Sequence, residues 1–334
     1  MKVVLSRKGF DSSYGGCPSL ILPDESLLSL PIPEMRFSKD LHSREEIANW
    51  KTFDNKQYLP ITYKDLTLPT KIGDFLKNND LPHRTYQDIL NDLLPNRILR
   101  EGKRTFSENL TWTCHLDPDF IHSIKKRLSD WIGIFGQGGI AESHLRNQNI
   151  GANDLFLFFG WFKQTLIQNN KIIFDPKDRS GIHLIYGYMQ VDYKISYNKN
   201  RSKVQAWMNY HPHLRLDAWN NKNNAIYVGR KVLSWDKSLP GTAAFKHDPR
   251  IVLTDLTDEN NPRRNRTHWR AELFPEEIVM TYHSKNSHKF ELDKNNNLRT
   301  YYKAADRGQE FVISNPSIID NWIKEIFDKV KIVT

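Results

Sequence analysis

An almost unbroken apolar run, Leu155–Phe162, constrains the fold of this 334-residue chain more than any other feature. The run is short, rich in phenylalanine and preceded by turn residues at 151–153, which is typical of a strand buried on both faces of a sheet. A Gly-Gln-Gly-Gly turn at 136–139 and a helix over Ile140–Asn147 are predicted before it, with Ile140, His144 and Leu145 on one face. Polar side chains would then lie at the mouth of a rigid strand, where sites are commonly built.

The remaining pattern predicts an α+β protein with a bent mixed or antiparallel sheet and peripheral helices. Further strands are expected at 2–6, 171–174 and 182–191, the last with a bulge at Gly187. Helices are expected at 43–50, 85–94 and 120–132 and from 315 onward. No low-complexity linker is visible, so we expect one large unit over 1–334, with possible lobes at 1–134 and 135–334.

Charge and composition favour a nucleic-acid partner. The formal net charge is +9, which suits a polyanion. No segment approaches the roughly 20 apolar residues of a membrane span, and the apolar stretch near Met1 is too short for a signal peptide. Two cysteines, Cys17 and Cys114, form neither a disulfide framework nor a zinc motif, so we expect a cytoplasmic protein that binds DNA and needs no membrane or obligate protein partner.

Two resemblances refine this expectation. The turn, the aromatic-rich strand and the Gly187–Val191 pattern resemble PUA-like barrels, including the EVE and ASCH domains, which bind modified or flipped bases.

Over most of the chain, a set of short motifs resembles the nucleotide-modification-associated domain family, type three, found in phage and bacterial settings of DNA base modification and defence. The motifs are SRKGFDSSYGG at 6–16, LSLPIP at 28–33, HLDPD at 115–119, GQGG at 136–139, HPHL at 211–214 and RGQEFV at 307–312. Asn149 and Asn153 stand where glycines would be expected, which leaves open how tight that turn is.

Carboxylates at predicted strand ends are the candidate catalytic groups. Asp11 is the first choice, because Arg7 and Lys8 beside it would keep it ionised and hold flanking phosphates; alternatively, Asp11 caps its own turn. Asp117 is the second choice. Its neighbour Asp119 is interpreted as the cap of the helix predicted over 120–132.

Other polar and aromatic side chains are assigned to the substrate and to DNA. His144 would assist the leaving group, and Gln137 and Asn149 would read a flipped base. Trp161 and Trp207, with Phe162, are candidate walls around that base. A basic loop opening at Asn260 is expected to contact phosphates or stack on bases, through Arg263, Arg264, Arg266, Trp269 and Arg270.

Cofactor motifs are missing from the sequence. There is no phosphate-binding or dinucleotide fingerprint, and His211 and His213 have spacing suitable for a metal but no evident third or fourth ligand, so we expect no cofactor and no metal. We therefore expect a DNA glycosylase, a hydrolase that excises a hypermodified base from phage DNA after base flipping, in antiviral defence. The alternatives are a non-catalytic reader of modified bases and a base hypermodification enzyme.

Overall fold

The computed structural model describes residues 1–34, 50–94, 96, 98–101, 104–106, 113–196, 199–256, 265–274, 278–282, 286–287, 290–292, 300–305, 309–315, 317 and 319–333. The helices are α1 (Thr70–Asn78), α2 (Tyr86–Leu93), α3 (Gly139–Asn147), α4 (Leu216–Trp219) and α5 (Asp320–Lys329). The strands are β1 (Val3–Arg7), β2 (Ser19–Ile21), β3 (Leu27–Leu28), β4 (Ile61–Thr62), β5 (Leu99–Glu101), β6 (Arg104–Phe106), β7 (Thr113–Cys114), β8 (Ile134–Gly138), β9 (Leu155–Gln168), β10 (Lys171–Phe174), β11 (Ile182–Ser196), β12 (Asn224–Gly229), β13 (Thr242–Phe245), β14 (His268–Arg270), β15 (Met280–Tyr282), β16 (Asn286–Ser287), β17 (Phe290–Leu292), β18 (Thr300–Lys303), β19 (Glu310–Ile313) and β20 (Ile332–Val333).

The predicted α+β class is confirmed: one large mixed sheet curls into a half-barrel, with few helices around it. Its main path runs β16-β15-β19-β1-β9-β11-β12-β8. The central strand β9 pairs in parallel with β1 and antiparallel with β11. Smaller sheets join β14, β18 and β17, β4 and β7, and β5 and β6. None of the described helices is long and apolar enough to cross a membrane.

The prediction for β9 is confirmed, and the strand extends beyond the apolar run. On one face Phe156 packs against Phe135, with ring centroids 5.0 Å apart. On the other face Phe159 packs against Trp269 at 5.2 Å. Since each fully buried large side chain contributes about 1.5–3 kcal/mol, β9 organises packing on both sides of the sheet.

Two local predictions around β9 are resolved by backbone geometry. The bulge at Gly187 is confirmed by a register shift between Ile185 and Gly187. A Cβ there would lie 2.4 Å from a ring carbon of Phe120, so glycine permits this close approach. Asn149 and Asn153 adopt φ of +54° and +69°, a left-handed conformation that asparagine tolerates, so the turn forms without glycine.

Several predicted elements are wrong. The sequence at 136–139 is not a turn, because 136–138 belong to β8 and Gly139 begins α3. Over 120–132 the only described helical turn is a 3-10 turn at His122–Ile124. Asp119 therefore caps no helix there; its buried carboxylate is paired with Arg127. Ile140 does not share the buried face of His144, since it is 73% exposed.

The remaining helix predictions have mixed outcomes. Helix α2 is confirmed, and Thr85 forms a capping box with Asp88 at its start. Helix α5 begins at Asp320, later than expected, but its apolar stripe is buried as predicted. The helix predicted at 43–50 lies almost entirely outside the described residues.

Candidate functional site

The HLDPD segment lies along the free edge of β8, the last strand of the sheet path. Asp119 and Ile134 exchange backbone hydrogen bonds of 2.9 and 2.8 Å. Further along the same edge, the Gly136 amide donates a 2.7 Å hydrogen bond to Oδ1 of Asp117. Because an unpaired edge amide needs an acceptor, the strand edge itself fixes the Asp117 carboxylate.

Three imidazoles surround this carboxylate. Nε2 of His211 lies 3.4 Å from Oδ1 of Asp117. Oδ2 lies 3.6 Å from Nε2 of His115 and 3.5 Å from Nε2 of His213. The Asp117 side chain is 4% exposed, whereas His115 is 23% exposed, so the cluster is buried but opens to the surface beside His115.

A second layer of polar groups orients the imidazoles. Nδ1 of His213 is 2.6 Å from Oδ1 of Asn224, and the Asn224 amide nitrogen donates to the His213 carbonyl. Oε1 of Glu34 lies 3.7 Å from Nδ1 of His115 and accepts a 2.7 Å hydrogen bond from Arg215. Such partners fix ring orientation and the position of the ring hydrogen.

Burial and neighbouring charges set the ionisation of the cluster. Burial alone raises the pKa of Asp117, but His115, His211 and His213 outweigh it and hold that pKa well below its ordinary value. Burial lowers the pKa of His213 despite the opposing effect of Asp117. Burial also lowers the pKa of His115, but Asp117 and Glu34 produce a net increase. The site therefore holds an ionised carboxylate inside the protein.

Close packing around Gly136 keeps the cluster together. A Cβ on Gly136 would lie 2.3 Å from a ring carbon of His213 and 2.8 Å from one of His211. Any larger residue would displace the imidazoles, so the glycine is required by the approach of the rings rather than by an unusual φ.

A small cavity of about 30 Å³ borders Asp117. Its lining includes Ser29, Tyr86 and Tyr186 among mostly apolar residues. This space is enough for ordered water beside the carboxylate. On its other side the cluster reaches the surface at His115, whose side chain is 23% exposed.

The cluster also contains a possible metal-binding set. His115, Asp117 and His213 offer three ligand atoms that all lie within 4.8 Å of one another. The sequence drew attention to the His-Pro-His pair at 211–213 but not to its missing partners, which the fold supplies from HLDPD. Glu34, Asn224 and Gly136 were not identified from the sequence, because their roles depend on contacts between distant segments.

Lys8 and Gln137 meet in a different buried cluster. Lys8 Nζ lies 3.0 Å from Oε1 of Glu310, and Gln137 and Ser6 also donate to this oxygen. Burial raises the pKa of Glu310, with Lys8 opposing the increase. Since successive side chains in a strand point to opposite faces, Gln137 faces away from the Asp117 cluster that adjoins Gly136.

Asp11 adopts the capping geometry that was the alternative interpretation. Its Oδ1 accepts hydrogen bonds from the amides of Ser13 and Tyr14, each 2.7 Å long. Its Oδ2 lies 3.5 Å from Arg7. One carboxylate oxygen is thus occupied by the local turn.

His144 and Asn149 lie in and just after the second half of α3. His144 is 2% exposed, and its Nε2 lies 3.2 Å from the Thr281 carbonyl oxygen. Asn149 follows the helix, where its backbone N–H donates to the Arg146 carbonyl. Neither residue is among those that surround Asp117.

The aromatic residues expected to enclose a flipped base differ in exposure. Trp207 is 4% exposed and Phe162 is fully buried, and each belongs to a hydrophobic core cluster. Trp161 is half-buried, and the Arg266 guanidinium stacks 4.5 Å from its ring centroid. Of these three residues, Trp161 is the one that is not classed as buried.

The expected DNA-binding loop is described only in part. Arg263 and Arg264 lie outside the described residues. Trp269 is fully buried beside Phe159 and therefore packs in the core instead of facing DNA. Arg270 is half-buried, and its Nε lies 3.6 Å from Glu272.

Comparison with known proteins identifies a family over most of the chain. A family model described as nucleotide modification associated domain 3 matches residues 2–314. Searches of curated proteins and of solved structures give no significant match.

Proposed function

The chain belongs to the nucleotide modification associated domain 3 family, and we propose that it is a hydrolase that cleaves the N-glycosidic bond of a modified base in DNA. The family name associates the chain with nucleotide modification and hence with nucleic acid. The observation that carries the finer proposal is the Asp117 cluster: an ionised carboxylate held inside the protein next to a partly exposed imidazole.

The chemistry needs a fixed negative charge beside the sugar and a positioned water. During hydrolysis, water oxygen bonds to C1′ while the C1′–N bond breaks and its electron pair passes to the base. The base nitrogen gains one hydrogen and the sugar gains a hydroxyl group. The transition state carries positive charge on the sugar, which a buried carboxylate stabilises.

Asp117 suits this role better than Asp11. Oδ1 of Asp117 is occupied by Gly136 and faces His211, whereas Oδ2 faces the two imidazoles nearest the surface. Asp11 also has one oxygen occupied, by two backbone amides of its own turn, but its side chain is 25% exposed, so water screens its charge more strongly. The proposal therefore places Asp117 at the reaction centre and assigns Asp11 a structural role.

Release of a free base tests the proposal. Purified protein would be incubated with phage DNA carrying hypermodified bases and with the same sequence made from ordinary bases. We expect abasic sites and a released modified base in the first sample only, detected with an aldehyde-reactive probe and by mass spectrometry. Modified DNA that is bound tightly but left chemically unchanged would instead support the reader alternative.

A further inference from the structure

We propose that His115, Asp117 and His213 bind a divalent transition-metal cation such as Zn²⁺ or Fe²⁺. The three residues can each offer one ligand atom within 4.8 Å of the others. The atoms that face one another across Asp117 are its Oδ2 and the Nε2 of each histidine. The metal site deepens the proposed function by adding a cation to the same cluster, and it rests on that function only for the role of metal-bound water.

The separations suit a cation between the ligand atoms. Oδ2 of Asp117 lies 3.6 Å from Nε2 of His115 and 3.5 Å from Nε2 of His213. Direct charge-assisted hydrogen bonds are shorter, about 2.7–2.9 Å. Tetrahedral ligands about 2.0–2.2 Å from a metal are separated from one another by about 3.3–3.6 Å. The observed gaps are therefore too wide for good hydrogen bonds and match ligands around an ion.

The outer contacts direct lone pairs toward the same point. The Asn224 amide nitrogen donates to the His213 carbonyl, so its Oδ1 faces Nδ1 of His213 as an acceptor. Nδ1 then carries the hydrogen, and Nε2 presents a lone pair toward Asp117. The Glu34 carboxylate oxygen lies 3.7 Å from Nδ1 of His115, so its negative charge favours a hydrogen on that nitrogen without a direct hydrogen bond. Lone pairs that converge on one point are held together by a positive charge there, and a metal cation would replace the ring protons that otherwise face Asp117.

His213 thus has the hydrogen-bonded outer partner typical of metal ligands, the Asn224 amide oxygen at 2.6 Å. His115 has a carboxylate oxygen of Glu34 3.7 Å from its Nδ1, which favours the same orientation through charge. Glu34 is itself held by Arg215. This second layer fixes the orientation of the rings that would hold the ion.

Three protein ligands leave room for water. Catalytic zinc sites commonly have three protein ligands and a water, and two histidines with one carboxylate also form open iron(II) sites. A cation here would lower the pKa of bound water toward about 7 and so supply hydroxide for the attack on C1′. The partial exposure of His115 gives this fourth position a route to the surface.

Metal analysis of the full chain tests the site directly. Protein stripped with a chelator would be dialysed against Zn²⁺, Co²⁺ or, without oxygen, Fe²⁺, and its bound metal measured by mass spectrometry. We expect about one equivalent, with visible Co²⁺ absorption that reports nitrogen and oxygen ligands. Asp117→Asn and His213→Ala should lower affinity at least tenfold, and Asn224→Ala, outside the ligand set, by about 10–100-fold.

Exposed His122 provides the control, because His122→Ala removes an imidazole outside the cluster. Circular dichroism would verify that each variant is folded, and Asn224→Ala keeps the test valid if His213→Ala unfolds. Failure to bind any of the three ions, or equal binding by the wild type, Asp117→Asn and Asn224→Ala, would overturn the proposal. Stoichiometric metal without base release would support the site and count against the glycosidic reaction. Base release unaffected by complete metal removal would support that reaction and overturn the role of metal-bound water in it.

Discussion

The Gly136 amide donates a 2.7 Å hydrogen bond to Oδ1 of Asp117 and thereby turns the other carboxylate oxygen toward His115 and His213. The free edge of the sheet therefore positions the candidate reaction centre. An edge amide that would otherwise lack a partner positions a buried charge.

Gly136→Ala should damage the cluster. Its Cβ would lie 2.3 Å from a His213 ring carbon, so the imidazole must move; we expect a loss of about 1–3 kcal/mol in unfolding free energy and weaker metal binding. Gly138→Ala is the matched control on the same strand, because its Cβ would make an ordinary 3.6 Å contact with the same ring. Urea unfolding and metal titration of both variants would check this, and equal effects would contradict it.

Binding to DNA should depend steeply on salt. We expect Arg263→Ala, Arg264→Ala and Arg266→Ala together to flatten the plot of log affinity against log salt, by about 0.9 for each phosphate that the variant no longer neutralises. Fluorescence anisotropy across a salt series measures the slope. The control replaces the exposed residues Lys64, Lys71 and Lys77 with alanine, which removes the same number of positive charges elsewhere on the surface. An unchanged slope in the arginine variant would exclude this loop from the interface.

The buried His183 should make the protein less stable at acidic pH. Burial holds its pKa well below the ordinary 6.5, and Arg7 and Arg266 lower it further. Below about pH 6.5 the unfolded chain binds the proton and the folded chain does not. The free energy of unfolding therefore decreases by up to about 1.4 kcal/mol for each unit by which the pH is lowered.

The variant His183→Asn removes this titration and keeps an acceptor for the Trp269 indole. It should be less stable at neutral pH but lose less stability between pH 6.5 and 5 than the wild type. Denaturant unfolding across this range gives the difference. His122→Asn, at an exposed position, should run parallel to the wild type; a parallel curve for His183→Asn would refute the assignment.

The buried pair of Asp119 and Arg127 should be strongly coupled. Their side chains are 0% and 1% exposed, so Arg127→Met leaves an uncompensated buried carboxylate at a cost of about 3–5 kcal/mol. Adding Asp119→Leu removes that charge and should recover part of the loss. A double-mutant cycle by urea unfolding measures the coupling, and strictly additive effects would argue against it.

The sequence predicted elements that local patterns determine. The apolar run of β9, the bulge at Gly187 and the helix expected at 85–94 all depend on nearby residues, and all three predictions are confirmed. Residues 120–132 have a helical pattern, yet Asp119 pairs instead with Arg127 and with the edge of β8. There tertiary contacts outweighed local preference.

The candidate site was visible only in fragments. Asp117 stood out beside its proline, and His211 and His213 stood out by their spacing. Their convergence depends on β8 and β12 pairing and on Gly136 admitting the rings, which no local pattern encodes. Asp11 is the first choice from the sequence because Arg7 and Lys8 beside it form a local pattern, whereas the neighbours of Asp117 come from distant segments.

The choice between these two carboxylates tests the account most directly. Single-turnover rates of base release from modified DNA would be measured for the wild type, Asp117→Asn and Asp11→Asn, with DNA affinity measured in parallel. We predict that Asp117→Asn slows release by about 100-fold or more while binding is retained, and that Asp11→Asn stays near the wild-type rate. A wild-type rate in Asp117→Asn, with loss of activity in Asp11→Asn, would contradict the account.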